Sequence, residues 1–503
     1  MKSKILVLFM VIILAVTPIL AACGETGDSN VNTVGDNEMA QENGEGENVS
    51  SVPDYDYPEL NMNGRDFRIL NAEPVWNFVT EIVVEEPNGE ILNDTIYNRN
   101  KFIEEHFNLN MVEITADIGA LETRTRTTVL AGDDAYDMIF CPRSNNAPIG
   151  SLITQGLFYN LDNIPTINLE GSWWKTSTIE SSRLGQNNGI YFLQSEVAMM
   201  TLQGVWCIFF NETIMQNLGL EFPYQLVRDG KWTLEKLLEY TKAGMALNGD
   251  DSFTWNAGGS SVYGLTSPDN AMVALVTGID EPFIKKDSNN MPFLSIENER
   301  FFSGIDKIID ITSVSGQFME ANEDRNTSTR NYERLFEIGR SFMIIAEFKS
   351  ADLFRGMEDS LGIVPIPKFD EAQENYRHML FRQCPVLVIP QTNSIPLETG
   401  IIVDALEYKS HTEVTPVYYD VSLSFKGLRN DDSIEMMHII NNSISLDLGI
   451  TYDMTRQLSD DIRSALANGR IDIASLIERR KASVETNIEK TMDELEKMIM
   501  NEQ

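Results

Sequence analysis

The chain has 503 residues, 39 Lys and Arg against 76 Asp and Glu, a formal charge of −37 and 42% hydrophobic residues. That balance excludes nucleic acid as a partner, because phosphate binding needs a basic face. It also makes anionic lipid headgroups poor partners, while the apolar fraction and the length suit a globular protein with two or three cores.

The first element is an export signal. Lys2 and Lys4 precede an apolar run over 5–16, broken by Thr17-Pro18 and closed by Leu20-Ala21-Ala22-Cys23. The run is shorter than the roughly 20 apolar residues a membrane span needs. A charged start, a short apolar middle and a small-residue exit predict a signal peptide over 1–22. Leu-Ala-Ala-Cys resembles a bacterial lipobox, which implies a diacylglycerol thioether on Cys23 and a chain tethered outside the cell membrane. Two acyl chains hold durably, since each buried methylene contributes about 0.8 kcal/mol. Cleavage before Cys23 leaves 481 residues and, without Lys2 and Lys4, a formal charge of −39. Residues 23–59 contain no Lys or Arg and are rich in Gly, Asn, Ser, Asp and Glu, which predicts a disordered acidic linker.

Folded sequence begins near Gly64. Phe67-Arg68-Ile69-Leu70 reads as a strand and 94–107 as an amphipathic helix with Ile96, Phe102, Ile103 and Phe107 inward. A strand over 109–114, a helix over 121–131 stopped by Gly132, and the strand Asp137-Met138-Ile139-Phe140 follow. Alternation at this spacing predicts crossover units and a parallel sheet covered on both faces. Further strands are predicted over 189–193, 205–210, 342–346, 361–364 and 386–389. Helices are predicted over 211–218, from Thr233 as N-cap, and over 301–311, 401–408 and 460–467. After Asn468-Gly469, Asp472 opens a long helix with Ile473, Leu476, Ile477, Val484, Ile488, Met492, Leu495 and Met498 in one stripe. Apart from Cys23 there are three cysteines, Cys141, Cys207 and Cys384, an odd number without CxxC spacing. They are expected to be buried thiols, with a single disulfide as the alternative.

Several stretches in order resemble the large extracellular solute-binding proteins of ABC importers, the carbohydrate-type family of Gram-positive bacteria. They are Tyr136-Asp137-Met138-Ile139, Gly156-Leu157-Phe158-Tyr159-Asn160-Leu161, Trp173-Trp174, Gly189-Ile190-Tyr191, Phe209-Phe210-Asn211-Glu212 and Lys231-Trp232-Thr233-Leu234. Phe336-Glu337-Ile338-Gly339-Arg340-Ser341-Phe342-Met343, Gly362-Ile363-Val364-Pro365-Ile366-Pro367-Lys368, Thr415-Pro416-Val417-Tyr418-Tyr419-Asp420 and Asp447-Leu448-Gly449 continue the series to the end. Phe342-Met343 departs from the pattern, since relatives often carry two small residues there. The resemblance implies an α/β, two-lobed periplasmic-binding-protein-like (type II) fold with hinge-crossing strands and a ligand cleft. It places crossings near 196–205 and 381–386, with one lobe over 60–198 plus 386–430 and the other over 199–385 plus 431–503.

Enzyme signatures are sparse. His106, His378, His411 and His438 are far apart, and neither HExxH, GxSxG nor a P-loop occurs. A glycosidase needs only two carboxylates about 5–9 Å apart, and 76 acidic residues supply such pairs by chance. Sugar binding asks instead for aromatic faces and for carboxylate, Arg and amide groups at strand ends lining a cleft. The residues meeting that description are Glu73, Trp76, Arg143, Glu196, Trp255, Glu347, Phe348 and Arg382. For the tryptophans the alternative is core packing, stronger for Trp173 and Trp174, which stand before a helix; for Glu196 and Arg382 it is a salt bridge bracing the hinge. The sequence thus leads to a lipid-anchored monomer without metal or cofactor, capturing a sugar or oligosaccharide for the transmembrane subunits of an ABC permease. An extracellular glycoside hydrolase or lyase is the alternative, and a surface adhesin a third class.

Overall fold

The computed structural model describes residues 54–143, 148–185, 189–253, 258–320, 331–423, 428 and 430–502. Cys23, the signal segment 1–22, the linker up to 53, and Trp255 lie outside the described residues. The described strands are β1 (Arg65–Ala72), β2 (Leu109–Ala116), β3 (Met138–Pro142), β4 (Trp206–Asn211), β5 (Tyr263–Ser267) and β6 (Ile284–Lys286). They continue as β7 (Pro292–Leu294), β8 (Phe318–Glu320), β9 (Ser341–Glu347), β10 (Leu361–Val364) and β11 (Pro385–Val388).

The first sheet has the order β11-β3-β1-β2. β1 runs parallel to β2 over its whole length, Arg65 opposite Leu109 and Ala72 opposite Ala116, and parallel to β3 on its other side. The helices Ile91–Phe107 and Leu121–Leu130 make the crossovers, as the sequence predicts. Period-two alternation sorts the side chains of β1: Phe67 and Ile69 enter one core with Ile103, Phe107 and Leu406, while Leu70 and Ala72 enter the other. β11 closes the edge antiparallel to β3 and comes from far downstream.

The second sheet, β10-β4-β9-β5-β8, is mixed. β4 is antiparallel to both β9 and β10, whereas β5 is parallel to β9 and β8. No strand is shared between the two sheets among the described residues, so there are two lobes. The core on the Leu70 face of the first sheet is nevertheless continuous with that of the second, through Leu152, Met200 and Trp206. Phe342 and Met343 are fully buried, and the bulk of Phe342 is taken up by Gly244 on the facing helix Leu234–Gly244, where a Cβ would stand 2.1 Å from its ring.

Three expectations need correction. Residues 189–193 are not a ladder strand, since Leu193 makes only a bridge to Leu387. Their polar groups are used by a loop instead, with Ile190 N–H donating to Asn160 Oδ1 (3.2 Å) and Leu161 N–H to the Ile190 carbonyl (2.7 Å). The linker does not extend to Glu59: Tyr55 stacks on Tyr408 at 4.9 Å and meets Trp173 edge-on at 5.3 Å, and Tyr57 lies 4.9 Å from Phe102. Two tyrosines give this acidic stretch enough apolar surface to order it. The helix expected over 401–408 spans Pro396–Lys409, because Pro396 sits in its first turn, where a missing N–H costs nothing.

The thiols of Cys141, Cys207 and Cys384 are free and buried. Trp173 and Trp174 belong to the core ahead of the helix Thr176–Ser182, and both indole N–H groups donate to Asp404 Oδ1, at 3.0 and 2.8 Å. No helix among the described residues is long and apolar enough to cross a membrane.

Candidate functional site

The two lobes meet along a seam that holds a chamber of about 450 Å³, within the range of small-molecule sites. The first lobe contributes Arg143, just beyond β3, and Ser177 and Ser181 from the helix Thr176–Ser182. The second lobe contributes the 280–286 turn into β6, Arg377 and the 444–450 segment. Lys286 ties the two sides together, its Nζ donating to the carbonyls of Glu180 (2.7 Å) and Arg183 (2.9 Å).

Most of the chamber's charges are already committed. Arg377 Nε pairs with Asp280 at 2.7 Å, and Lys285 Nζ with Glu281 at 2.7 Å. Asp447 caps the short helix Leu448–Thr451: its carboxylate accepts from Phe283 N–H (2.9 Å) and Ile450 N–H (3.2 Å), while burial raises its pKa. Arg143 is 3% exposed. It donates from Nη2 to the Leu380 carbonyl at 3.1 Å, its Nε is buried without a hydrogen-bond partner, and burial lowers its pKa.

Met379 and Ile450 are walls of the chamber and also of a narrow crevice behind it, lined by Trp206, Asn270, Phe381, Arg382, Ser459 and Arg463. Arg382 pairs there with Asp460 at 3.0 Å, and Arg463 with Asp269 at 3.0 Å. Trp76 stands on the crevice's outer flank, 42% exposed and edge-on to Phe381 at 5.7 Å. Its φ is +50° and that of Asn77 +60°, so the β1 exit loop holds two consecutive residues in a left-handed region that L-residues enter at a cost of about 1–2 kcal/mol each. Lys349, from beyond β9, donates to the Trp76 carbonyl at 2.5 Å and lies 3.4 Å from the Phe78 ring centroid, so the two lobes also touch here.

The remaining candidates are placed apart. Glu73 is exposed, its N–H bonded to the Ala116 carbonyl at 2.9 Å. Glu347 is buried at the end of β9, where the Tyr332 hydroxyl donates to it at 3.4 Å. Phe348 is fully buried and edge-on to Tyr418 and Tyr419, each at 5.8 Å. Glu196 is 1% exposed and lines neither the chamber nor the crevice. Its carboxylate takes Lys175 (3.3 Å), His411 Nδ1 (3.0 Å) and Thr415 Oγ1 (2.7 Å), beside a π-helical turn, Ser410–Val414. Burial works against ionisation of Glu196, yet Lys175, His411 and Thr415 overcome it and hold its pKa at about 2. The neighbouring Glu407 is pushed up to about 8, by burial first and then by the charge on Glu196. Glu407 accepts from Ser195 Oγ (2.6 Å) and Glu196 N–H (2.9 Å).

Of the sequence candidates among the described residues, Arg143 lines the chamber, Arg382 lines the crevice behind it and Trp76 meets Phe381 on the crevice's flank, while Lys286, Asp447 as a wall, Lys349 and Glu407 are missed. Lys286 and Asp447 sit on a short hairpin and a four-residue helix, too brief to give any periodic signal.

A scan against protein-family models finds no match, and a search of curated sequences finds none. Solved structures do match. A galacto-N-biose-/lacto-N-biose I-binding protein of an ABC transporter from Bifidobacterium longum, in complex with lacto-N-biose, superposes over 85% of this chain and 98% of its own, with a TM-score of 0.57 at 12% identity. The chain shares the two-lobed fold of that protein. An ABC substrate-binding protein from Listeria monocytogenes with cycloalternan matches over 86% of this chain and 99% of its own, with a TM-score of 0.53 at 12% identity. A cyclo/maltodextrin-binding protein complexed with maltotetraose gives a TM-score of 0.51 at 12% identity, over 86% and 97% of the two chains.

Proposed function

We propose that this protein is the extracellular substrate-binding component of an ABC importer and captures a sugar or oligosaccharide between its lobes. The observation that carries this reading is the 450 Å³ chamber walled by residues of both lobes, in a fold shared with proteins whose structures hold lacto-N-biose, cycloalternan and maltotetraose. A ligand touching both walls favours the closed arrangement by its differential affinity, and the closed lobes then dock on the permease. Trp76, half exposed beside Phe381, offers an apolar face for a pyranose ring, and Ser177 and Ser181 offer hydroxyls. We assign Arg143, Trp76 and Arg382 to the ligand, and Glu196 to bracing the crossing. The lobes are taken as 60–198 with 386–430 and 199–385 with 431–503, a division supported by β4, β5, β8, β9 and β10 pairing only among themselves.

No covalent step is part of this reading. Asp280, Glu281 and Asp447, the chamber's three carboxylates, are each committed to a cation or to backbone N–H groups, which leaves none poised as a general acid or base. ATP hydrolysis belongs to a separate subunit, and the protein acts as a monomer anchored through lipidated Cys23. Calorimetry against a panel of mono- and oligosaccharides tests the capture. Heat of binding with at least one sugar is the expected result; turnover of a glycoside, with no binding heat from any sugar, overturns it. For the anchor, Cys23→Ala should release the protein into the medium, and release of the unaltered chain would refute it.

A further inference from the structure

The counter-ion inventory of the chamber is unbalanced. Four cations line it, Arg143, Lys285, Lys286 and Arg377, against three carboxylates. Two of those cations are paired, with Glu281 and Asp280. Asp447 spends its carboxylate on the N–H groups of Phe283 and Ile450. Arg143 and Lys286 are left with carbonyl partners, and no carboxylate bridges to either among the described residues. The stretch 144–147, which follows Arg143 directly, contains no acidic residue.

Asp447 acts on Arg143 only through space, and holding a guanidinium 97% out of water with no carboxylate bonded to it is expensive. A protein with 76 Asp and Glu has no shortage of carboxylates to place there. Arg143 keeps an unpartnered buried Nε, and Lys286 comes from the opposite lobe, so an anion held by both would also hold the lobes together. The flat fork of an arginine suits a carboxylate, which it can take with two parallel bonds.

We propose that the captured sugar is an acidic one, a uronate-bearing saccharide whose carboxylate is answered by Arg143 from one lobe and Lys286 from the other. This rests on the sugar-capture reading and narrows it. Lys286 then supplies selectivity as well as a strut between lobes, and Arg377 and Lys285, already paired, contribute only general positive potential.

The test is calorimetry of the mature protein with neutral disaccharides and their uronate counterparts, galactobiose against digalacturonate among them. A charge-assisted bond in a desolvated site should favour the uronate by about tenfold to a hundredfold. Lys286→Met also removes the strut to Glu180 and Arg183 and so weakens both sugars, but it should cut the ratio of uronate to neutral affinity by about tenfold. Arg143→Lys keeps the charge and loses the fork, and should lower uronate affinity with a smaller change for the neutral sugar. Should Arg143→Lys fail to fold, Lys286→Met carries the test alone. Neutral sugars binding as tightly as their uronates would overturn the acidic ligand and leave sugar capture standing. No binding heat from either class would overturn both.

Discussion

Two buried polar clusters lie where the lobes join, and they differ in one respect. Around Glu196 the charges are answered from within the chain: Lys175, His411 and Thr415 meet its carboxylate, and Glu407 takes Ser195 and the Glu196 N–H. Around Arg143 they are not: its Nη2 meets only the Leu380 carbonyl, and its Nε is buried without a hydrogen-bond partner. A cluster whose charges are matched from within the chain, next to a crossing, serves to fix the geometry. An unsaturated one beside a chamber is where a ligand gains most, because it completes bonds the free protein lacks. Both places are buried, one built on carboxylates and the other on a guanidinium, and what separates them is whether side chains of opposite charge are bonded to the central group.

The difference can be broken experimentally, and the largest effect is expected on the charge-matched side. Glu196→Leu strands Lys175 and removes the oxygen that serves both His411 and Thr415, so it should cost about 3–5 kcal/mol in chemical denaturation with sugar selectivity retained. A small loss of stability together with lost sugar affinity would move Glu196 to the ligand site. Next is the pH dependence of Glu407. Its folded pKa, about 8, lies above the unfolded carboxyl value, so the folded chain holds a proton the unfolded chain has given up. Stability therefore declines as pH rises from about 4.3 to about 8. Glu407→Gln cannot ionise and should flatten that decline, by a few kcal/mol at its upper end. Urea denaturation across this range checks it, and an unchanged slope would remove the buried proton from the account. Glu196 acts in the opposite sense, its contribution present above about 4.3 and lost as pH falls toward about 2.

Smaller effects are expected from the unsaturated side, and on affinity rather than stability. Arg143→Lys should weaken uronate binding by about tenfold or more. Trp76→Ala should lower sugar affinity by about tenfold and change stability by less than about 1 kcal/mol, since the side chain is 42% exposed. Unaltered affinity would reduce Trp76 to a surface brace against Phe381.

Both clusters explain what could and could not be anticipated. Arg143 was within reach because it follows a five-residue apolar strand, and strand ends in α/β sheets face ligands. Glu196 is a candidate because it lies at the expected crossing, with a bracing salt bridge as its alternative, and only the arrival of His411 and Thr415 from 215 and 219 residues downstream distinguishes the two. β5 gives no strand signal in the sequence because Gly264 interrupts a short run. That glycine is required by tertiary packing, since a Cβ there would stand 2.0 Å from the Thr241 carbonyl.

The sequence by itself determined the alternation of strands and helices from β1 to β3 and the long C-terminal helix. Those follow from hydrophobic period and from caps, which are local properties. Tertiary structure alone decided that Tyr55 and Tyr57 join the folded body, that Gly244 makes room for Phe342, and that Lys286 reaches the carbonyls of Glu180 and Arg183. Each of those depends on groups brought together from distant parts of the chain, and no local pattern records whether a buried charge will find its partner.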